Sequence, residues 1–225
     1  MHTIAHDLPV ETDHPVDIIL PHAGAPRNRL TVGFRPILAI PHLLIVGAPI
    51  ALAMGWGWQS EPGGTHEWSA GGGVLGAVAA VTAMISWFAI LFTGDHPEGL
   101  RSLAAYYLRW RVRATAYMAL LRDEYPPFGD GPYPASLVLN PPDVPRDKVS
   151  VGFRLILLLP HLIALCLLSI GWGFTTIIAW FAILFTGRYP ETLERFAVGV
   201  MRWNIRVDAY ALLLHDTYPP FRLDT

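Results

Sequence analysis

Lysine is almost absent from this chain: fifteen of its sixteen cationic residues are arginine, and Lys148 stands alone. Cysteine is nearly absent too, and a single Cys166 excludes an intramolecular disulfide and any cysteine-rich metal site. Charged residues make up 15% of the chain, against about a quarter in soluble domains, and a net charge of −2 offers no basic face to nucleic acid. Acidic residues are missing from every long apolar stretch, which argues against an ordinary proton-coupled pump. The sequence shows no Ser/His/Asp set, phosphate-cradling glycine loop or paired carboxylates, so no catalytic residue is assigned and a non-enzymatic role is the expectation. The first 29 residues hold Pro9, Pro15, Pro21 and Pro26 but no apolar run of signal-peptide length, so the first apolar segment itself is expected to direct insertion. The arginine bias fits a GC-rich bacterial genome.

What is abundant is apolar: 52% of the residues are hydrophobic. Much of it is written twice. "WFAILFTG" occurs at Trp87–Gly94 and again at Trp180–Gly187, and the match extends without a gap from Trp87–Phe128 to Trp180–Phe221, with 24 of 42 positions identical. Upstream, Pro26–Leu43 aligns with Pro145–Leu162, with 11 of 18 identical. The offsets are 119 upstream and 93 downstream, so copy one carries an insertion of 26 residues, around Gly55–Gly73. Two copies are too few for a solenoid, and the chain is a tandem duplication. The expected division is an N-terminal disordered tail (1–15), repeat one (16–128), a linker (129–135) and repeat two (136–221).

Each copy is expected to be all-α and membrane-integral, with two transmembrane helices and one interfacial amphipathic helix. A short β segment opens each copy, at Val16–Leu20 and Ser136–Leu139. Spans need about 20 apolar residues, and the candidates are Val32–Met54 with Val74–Phe92, then Val151–Ile170 with Phe174–Phe185. All sixteen cations lie outside Met54–Gly73 and Ser169–Gly173. The positive-inside rule then places both termini and the linker in the cytoplasm of a multi-pass protein of the bacterial inner membrane, with the insertion outside. On this reading the copies run parallel, related by an axis along the membrane normal.

The repeated letters read as punctuation. Gly94 and Gly187 suit a left-handed helix end, and Pro97 and Pro190, each followed by Glu, suit the first turn of the next helix. The helices expected at 97–121 and 190–214 are amphipathic. Arg109, Trp110, Arg113, Arg202, Trp203 and Arg206 are assigned to a lipid interface rich in anionic headgroups, with packing on a cytoplasmic membrane-protein partner as the competing reading. The pattern R-x5-P-H, W-F-A-I-L-F-T-G-x-x-P, R-W-x-x-R and Y-P-P-F resembles an uncharacterised bacterial family, a membrane domain of unknown function found singly and in tandem. That resemblance implies membrane location and no assigned activity.

Two polar pairs stand out in the apolar segments. Arg35 and His42 are seven residues apart, as are Arg154 and His161, so each pair shares a helix face. They read either as structural caps of carbonyls released by Pro41 and Pro160, as a headgroup or anion site between the repeats, or as axial ligands of a haem or other tetrapyrrole at His42 and His161. The N-terminal His2, His6, His14 and His22 are too irregularly spaced for a metal site. The expected function is a membrane accessory or scaffold protein engaging lipid or a complex partner. The alternatives are a small transporter or lipid-handling protein with a site between the repeats, and then a pigment-associated subunit or membrane enzyme.

Overall fold

The computed structural model describes residues 14–23, 26–49, 56–60, 66–70, 72–140 and 146–223, with backbone alone for 56–60 and 66–70. Most of the expected N-terminal tail and the side chains of Trp56, Trp58 and Trp68 lie outside the described residues. In chain order the elements are β1 (Val16–Ile19), α1 (Arg29–Leu38), α2 (Ile40–Val46), β2 (Trp56–Ser60), β3 (His66–Ala70), α3 (Gly73–Thr93), α4 (Glu98–Met118), β4 (Ser136–Leu139), α5 (Lys148–Gly152), α6 (Arg154–Thr186) and α7 (Glu191–Ala211).

Local chemistry sets the boundaries. The Asn28 side chain accepts from the Leu30 and Thr31 amides to start α1, and Asp147 caps α5 through the Val149 amide. Helices α3 and α6 end on Gly94 and Gly187 at φ +88° and +74°, conformations that cost glycine nothing. Pro97 and Pro190 then precede α4 and α7, whose first turns carry Glu98 and Glu191 near the positive end of the helix dipole.

Copy two departs from the expected pair of spans. Residues 154–186 form one helix of 33 residues, with no turn at Gly171–Gly173. Every Gly171–Gly173 amide has an i−4 carbonyl available, and two isolated glycines in an apolar helix are not enough to break it. Copy one contains the same helix in pieces. By the two offsets, α1 and α2 correspond to residues 148–165, and α3 corresponds to 166–186. The 26-residue insertion therefore falls between Val46 and Gly73, positions whose counterparts are bonded neighbours in copy two. The cut ends still abut: a Cβ on Gly73 would lie 2.7 Å from the Gly47 nitrogen and the Ile45 carbonyl. The inserted β2 and β3 pair antiparallel as a hairpin, Trp56 opposite Ala70.

The long helices of the two copies run antiparallel to one another. The start of copy one meets the end of the long helix of copy two: the Arg27 amide donates to the Gly187 carbonyl at 2.8 Å and the Trp180 indole to Val32 O at 2.9 Å. The reciprocal contact is the Trp87 indole on Val151 O at 2.8 Å. Strands β1 and β4 pair antiparallel about the same pseudo-twofold, Val16 opposite Leu139 and Ile19 opposite Ser136. Each copy thus completes the other, and the repeated tryptophan is the crossing point.

Three layers result. The long helices α1–α3 and α5–α6 form the first, the returning helices α4 and α7 the second, and the β1–β4 ribbon the third, with β1 on α7 and β4 on α4. The middle layer is the core: Leu108, Val112, Ala116, Val200 and Ala209 are all shielded from solvent. Two helices, α3 and α6, are long and apolar enough to cross a membrane, and the pair α1–α2, bent by 46°, makes a third if counted as one span.

Because the insertion only interrupts a helix, excising residues 47–72 and joining Val46 to Gly73, with Gly73→Ala to suit a helix interior, should leave the protein folded. Far-UV dichroism and thermal melts in mild detergent check this. A loss of helical signal would show that the hairpin is integral to copy one.

Candidate functional site

Arg35 and His42 do not pair with one another, and neither do Arg154 and His161. Arg35 reaches the C-terminal turn of α4, where its Nη1 donates to the carbonyls of Tyr117 (3.2 Å) and Arg122 (3.0 Å) and its Nη2 to Asp123 (2.8 Å). Its guanidinium carbon lies 4.5 Å from the centre of the Tyr117 ring. Arg154 repeats each contact on α7, with Tyr210 O at 3.0 Å, His215 O at 2.8 Å, Asp216 at 2.6 Å and the Tyr210 ring at 4.0 Å. The Tyr117 and Tyr210 carbonyls also accept from the Leu120 and Leu213 amides, so each arginine adds a second donor at the helix end and ties it to a carbonyl of the exit loop. Leu120 and Leu213, the residues that reverse the chain there, take φ of +65° and +61°. Non-glycine residues adopt that conformation at a cost of about 1 kcal/mol or more, and the clamp holds both in place.

The histidines sit in aromatic cages of their own repeats. His42 Nδ1 accepts the Trp110 indole N–H at 3.2 Å, and His161 Nδ1 accepts that of Trp203 at 3.1 Å. A neutral imidazole that accepts at Nδ1 carries its proton on Nε2. Phe128 and Phe221, from the two Y-P-P-F exits, stack on the rings at 4.8 and 4.0 Å between centroids, and Tyr125 and Tyr218 tilt against them. Both imidazoles are fully buried. Each is closed over by its own repeat, so the structure does not bring His42 and His161 together as one axial pair. Among the described residues there is no cluster of three metal-ligating side chains.

Of the six residues assigned from sequence to a lipid interface, Trp110, Trp203 and Arg206 are buried, and all six contact other parts of the chain. Trp110 and Trp203 hold the histidines. Arg109 and Arg113 reach Asp130, and Arg113 also holds the Gly129 carbonyl. Arg202 and Arg206 reach Asp17 on β1, and Arg206 also holds the Val16 carbonyl. The amphipathic faces are real, and the ribbon and the linker pack on them. In sequence a helix face covered by a strand of the same chain looks like one covered by headgroups.

Arg111 escaped the sequence reading. It is buried at the pseudo-twofold, with Nε on Asp208 at 2.9 Å and Nη1 on the Val46 carbonyl at 2.9 Å. Val46 is the last residue of α2, so this carbonyl is one that the insertion detached from its helical partner. The counterpart of Arg111 in copy two is Asn204, where the long helix is unbroken, and the counterpart of Asp208 is Thr115. The alignment held the signal: a polar pair differs between copies at the level of the insertion. Tyr107 lies beside Arg111, and burial raises its hydroxyl pKa to about 12.

Two cavities flank the axis at equivalent places. The first, about 430 Å³, is lined by Arg35, Leu43, Leu120, Ile177 and Trp180, and the second, about 330 Å³, by Arg154, Ala83, Met84, Trp87 and Leu213. Each lies between the start of one long helix and the end of the other. Apart from the arginine and, in the first, Thr176, the walls are apolar.

The family model described as domain of unknown function DUF4389 matches residues 72–129 and 148–222, one match in each repeat and more than half of the chain together. The chain belongs to this family, as a tandem duplication. No curated protein and no solved structure matches it.

Three outcomes follow from this geometry. Since the cages are separate, His42→Gln and His161→Gln should each cost about 1–2 kcal/mol, and the double variant should lose the sum within about 0.5 kcal/mol, read by unfolding in mild detergent. Arg111→Asn should cost about 3–5 kcal/mol, because it leaves Asp208 buried without its guanidinium. In the protein lacking residues 47–72, Arg111→Asn with Asp208→Thr should be tolerated. The third outcome is a pH dependence. Burial, with Arg146 and Arg101 nearby, lowers the His96 pKa from 6.5 to about 4, and burial lowers His14 and His215 as well. A histidine kept neutral by the fold favours unfolding once protons bind the unfolded chain more tightly. Its contribution is therefore complete above about pH 6.5 and is lost as the pH falls towards 4. The melting temperature should drop across that window, and His96→Asn should flatten the drop.

Proposed function

We propose that this tandem member of the DUF4389 family is a non-enzymatic accessory protein of the bacterial inner membrane, lying within the cytoplasmic leaflet and engaging lipid through its layer of long helices. The observation that carries this reading is an apolar stripe along the outer side of the first layer, with every buried charge behind it. On α6 the exposed stripe runs through Leu155, Leu159, Ile163, Ile170, Phe174 and Phe185, and the broken helix of copy one repeats it with Phe34, Leu44, Val74, Val81, Phe88 and Phe92. Arg29 and Lys148, at equivalent helix starts, are exposed beside Leu30 and Val149, where they suit anionic headgroups.

Length favours an in-plane arrangement over a multi-pass one. The stripe on α6 spans about 45 Å at 1.5 Å per residue, against a hydrocarbon core of about 30 Å. Crossing would need a tilt of roughly 50°, beyond the usual range of 0–40°. It would also carry the middle layer across, placing the half-exposed Arg109–Asp130 pair near mid-depth, where charges are costly. Lying flat keeps the returning helices, the linker and the β1–β4 ribbon on one side, in keeping with a cytoplasmic location for the cations. A solute route through the repeats finds little support, because the cavities between them offer one charged group each.

The two arrangements give different depth profiles. With nitroxide labels at Leu159, Ile170 and Phe181, in a Cys166→Ser background reconstituted into bilayers containing anionic lipid, accessibility to oxygen and to a water-soluble relaxant should report nearly equal immersion at all three. A maximum at Ile170 flanked by two shallow sites would establish a crossing helix and overturn the in-plane reading.

A further inference from the structure

We propose that the two equivalent cavities are fatty-acid sites, each taking one long acyl chain with its carboxyl group against a buried arginine. The inference rests on the membrane-embedded reading, because it is the bilayer that supplies such a chain. Three observations carry it. The cavities open on the apolar face: Ile177, Met84, Phe88 and Leu155 line them and also belong to the exposed stripes, so whatever enters must come from the hydrocarbon layer. Their volumes, about 430 and 330 Å³, fall within the range of sites that hold small amphiphiles.

The third observation is an unmet donor in the same place in both repeats. Arg35 and Arg154, 2% and 1% exposed, spend their terminal nitrogens on the helix-end carbonyls and on Asp123 and Asp216, yet the Nε–H of each has no hydrogen-bond partner. A buried N–H without an acceptor costs about 1–3 kcal/mol, and the cost is incurred twice. An oxygen acceptor at the head of an apolar chain relieves it while the chain fills the cavity. Arg35 is already neutralised by Asp123 and Arg154 by Asp216, so the site asks for one acceptor rather than a second full charge. That favours a carboxyl group, which apolar burial beside Asp123 or Asp216 keeps protonated so that its carbonyl oxygen accepts the N–H, over a phosphodiester, which stays ionised. The indoles of Trp180 and Trp87 border the cavities, their N–H groups committed to the opposite repeat, so an occupied cavity would brace the crossing point between copies.

The test uses the full chain in mild detergent, incubated with palmitate and examined by native mass spectrometry. Two adducts per chain are expected. Thr176→Phe, which fills the first cavity, and Ala83→Phe, which fills the second, should each leave one adduct, and the double variant none. Thr176→Leu and Ala83→Leu serve as smaller fillings should a phenylalanine variant fail to fold. All variants should remain in the membrane fraction after carbonate washing, with melting temperatures no lower than wild type. An adduct count unchanged in the double variant, or no adduct on the wild type, would overturn the proposal while leaving the membrane reading intact. Phospholipid adducts lost in these variants while palmitate is ignored would overturn the choice of occupant. Release of the wild type by carbonate would instead overturn the membrane reading itself.

Discussion

A guanidinium is buried at tolerable cost only where most of its donors meet acceptors, and the path of this chain is laid out by that requirement. Arg35 and Arg154 gather the ends of α4 and α7. Arg206 and Arg202 fasten β1 to α7, Arg113 holds the linker, and Arg111 sits at the axis. Most of these groups serve two or three oxygens at once, often main-chain carbonyls in different directions. A planar fork with five donors does this, and an ammonium on a flexible stem does not do it well. The near absence of lysine thus acquires a physical reason beyond genome composition. The one lysine stands on the exposed rim, where a point charge is sufficient.

Fixing the arginines inside has consequences outside. Burial of α4 and α7 is completed by the opposite repeat and by the strands, which leaves the outer side of the long apolar helices uncovered among the described residues. The fold departs from a soluble sandwich, with several arginines buried inside and many Phe, Leu and Ile side chains of the long helices facing out. Water does not tolerate a contiguous apolar face of that extent. Lipid does, and the length of the stripes then bears on how the molecule sits in it.

The insertion shows how a duplicated fold absorbs change. Cutting a long helix frees carbonyls that must be satisfied, and copy one meets this with an arginine at a position where copy two has asparagine. The acid opposite it, Asp208, replaces what is threonine in the other copy. Arg111, Asp208 and the Val46 carbonyl thus form one network at the level of the insertion, while the clamps, cages and tryptophan contacts stay alike in the two copies.

Much of this was legible in the residues. Duplication, helix ends at Gly94 and Gly187, short strands at both repeat starts and a membrane-associated composition follow from identity, turn chemistry and apolar content, which act within a few residues. The candidate site was legible in part: Arg35, His42, Arg154 and His161 are the centres of the two polar clusters, but spacing on a helix says which residues share a face and not what comes to meet it. Whether Gly171–Gly173 turns or continues depends on packing along both sides, and what meets the amphipathic helices depends on segments elsewhere in the chain: β1, 185 residues from Arg202 at Asp17, and the linker, 21 residues from Arg109 at Asp130. The antiparallel run of the long helices was beyond reach for the same reason. Identical sequences have identical internal preferences, and only the contacts between them, such as Trp87 on Val151 and Trp180 on Val32, decide which way they face.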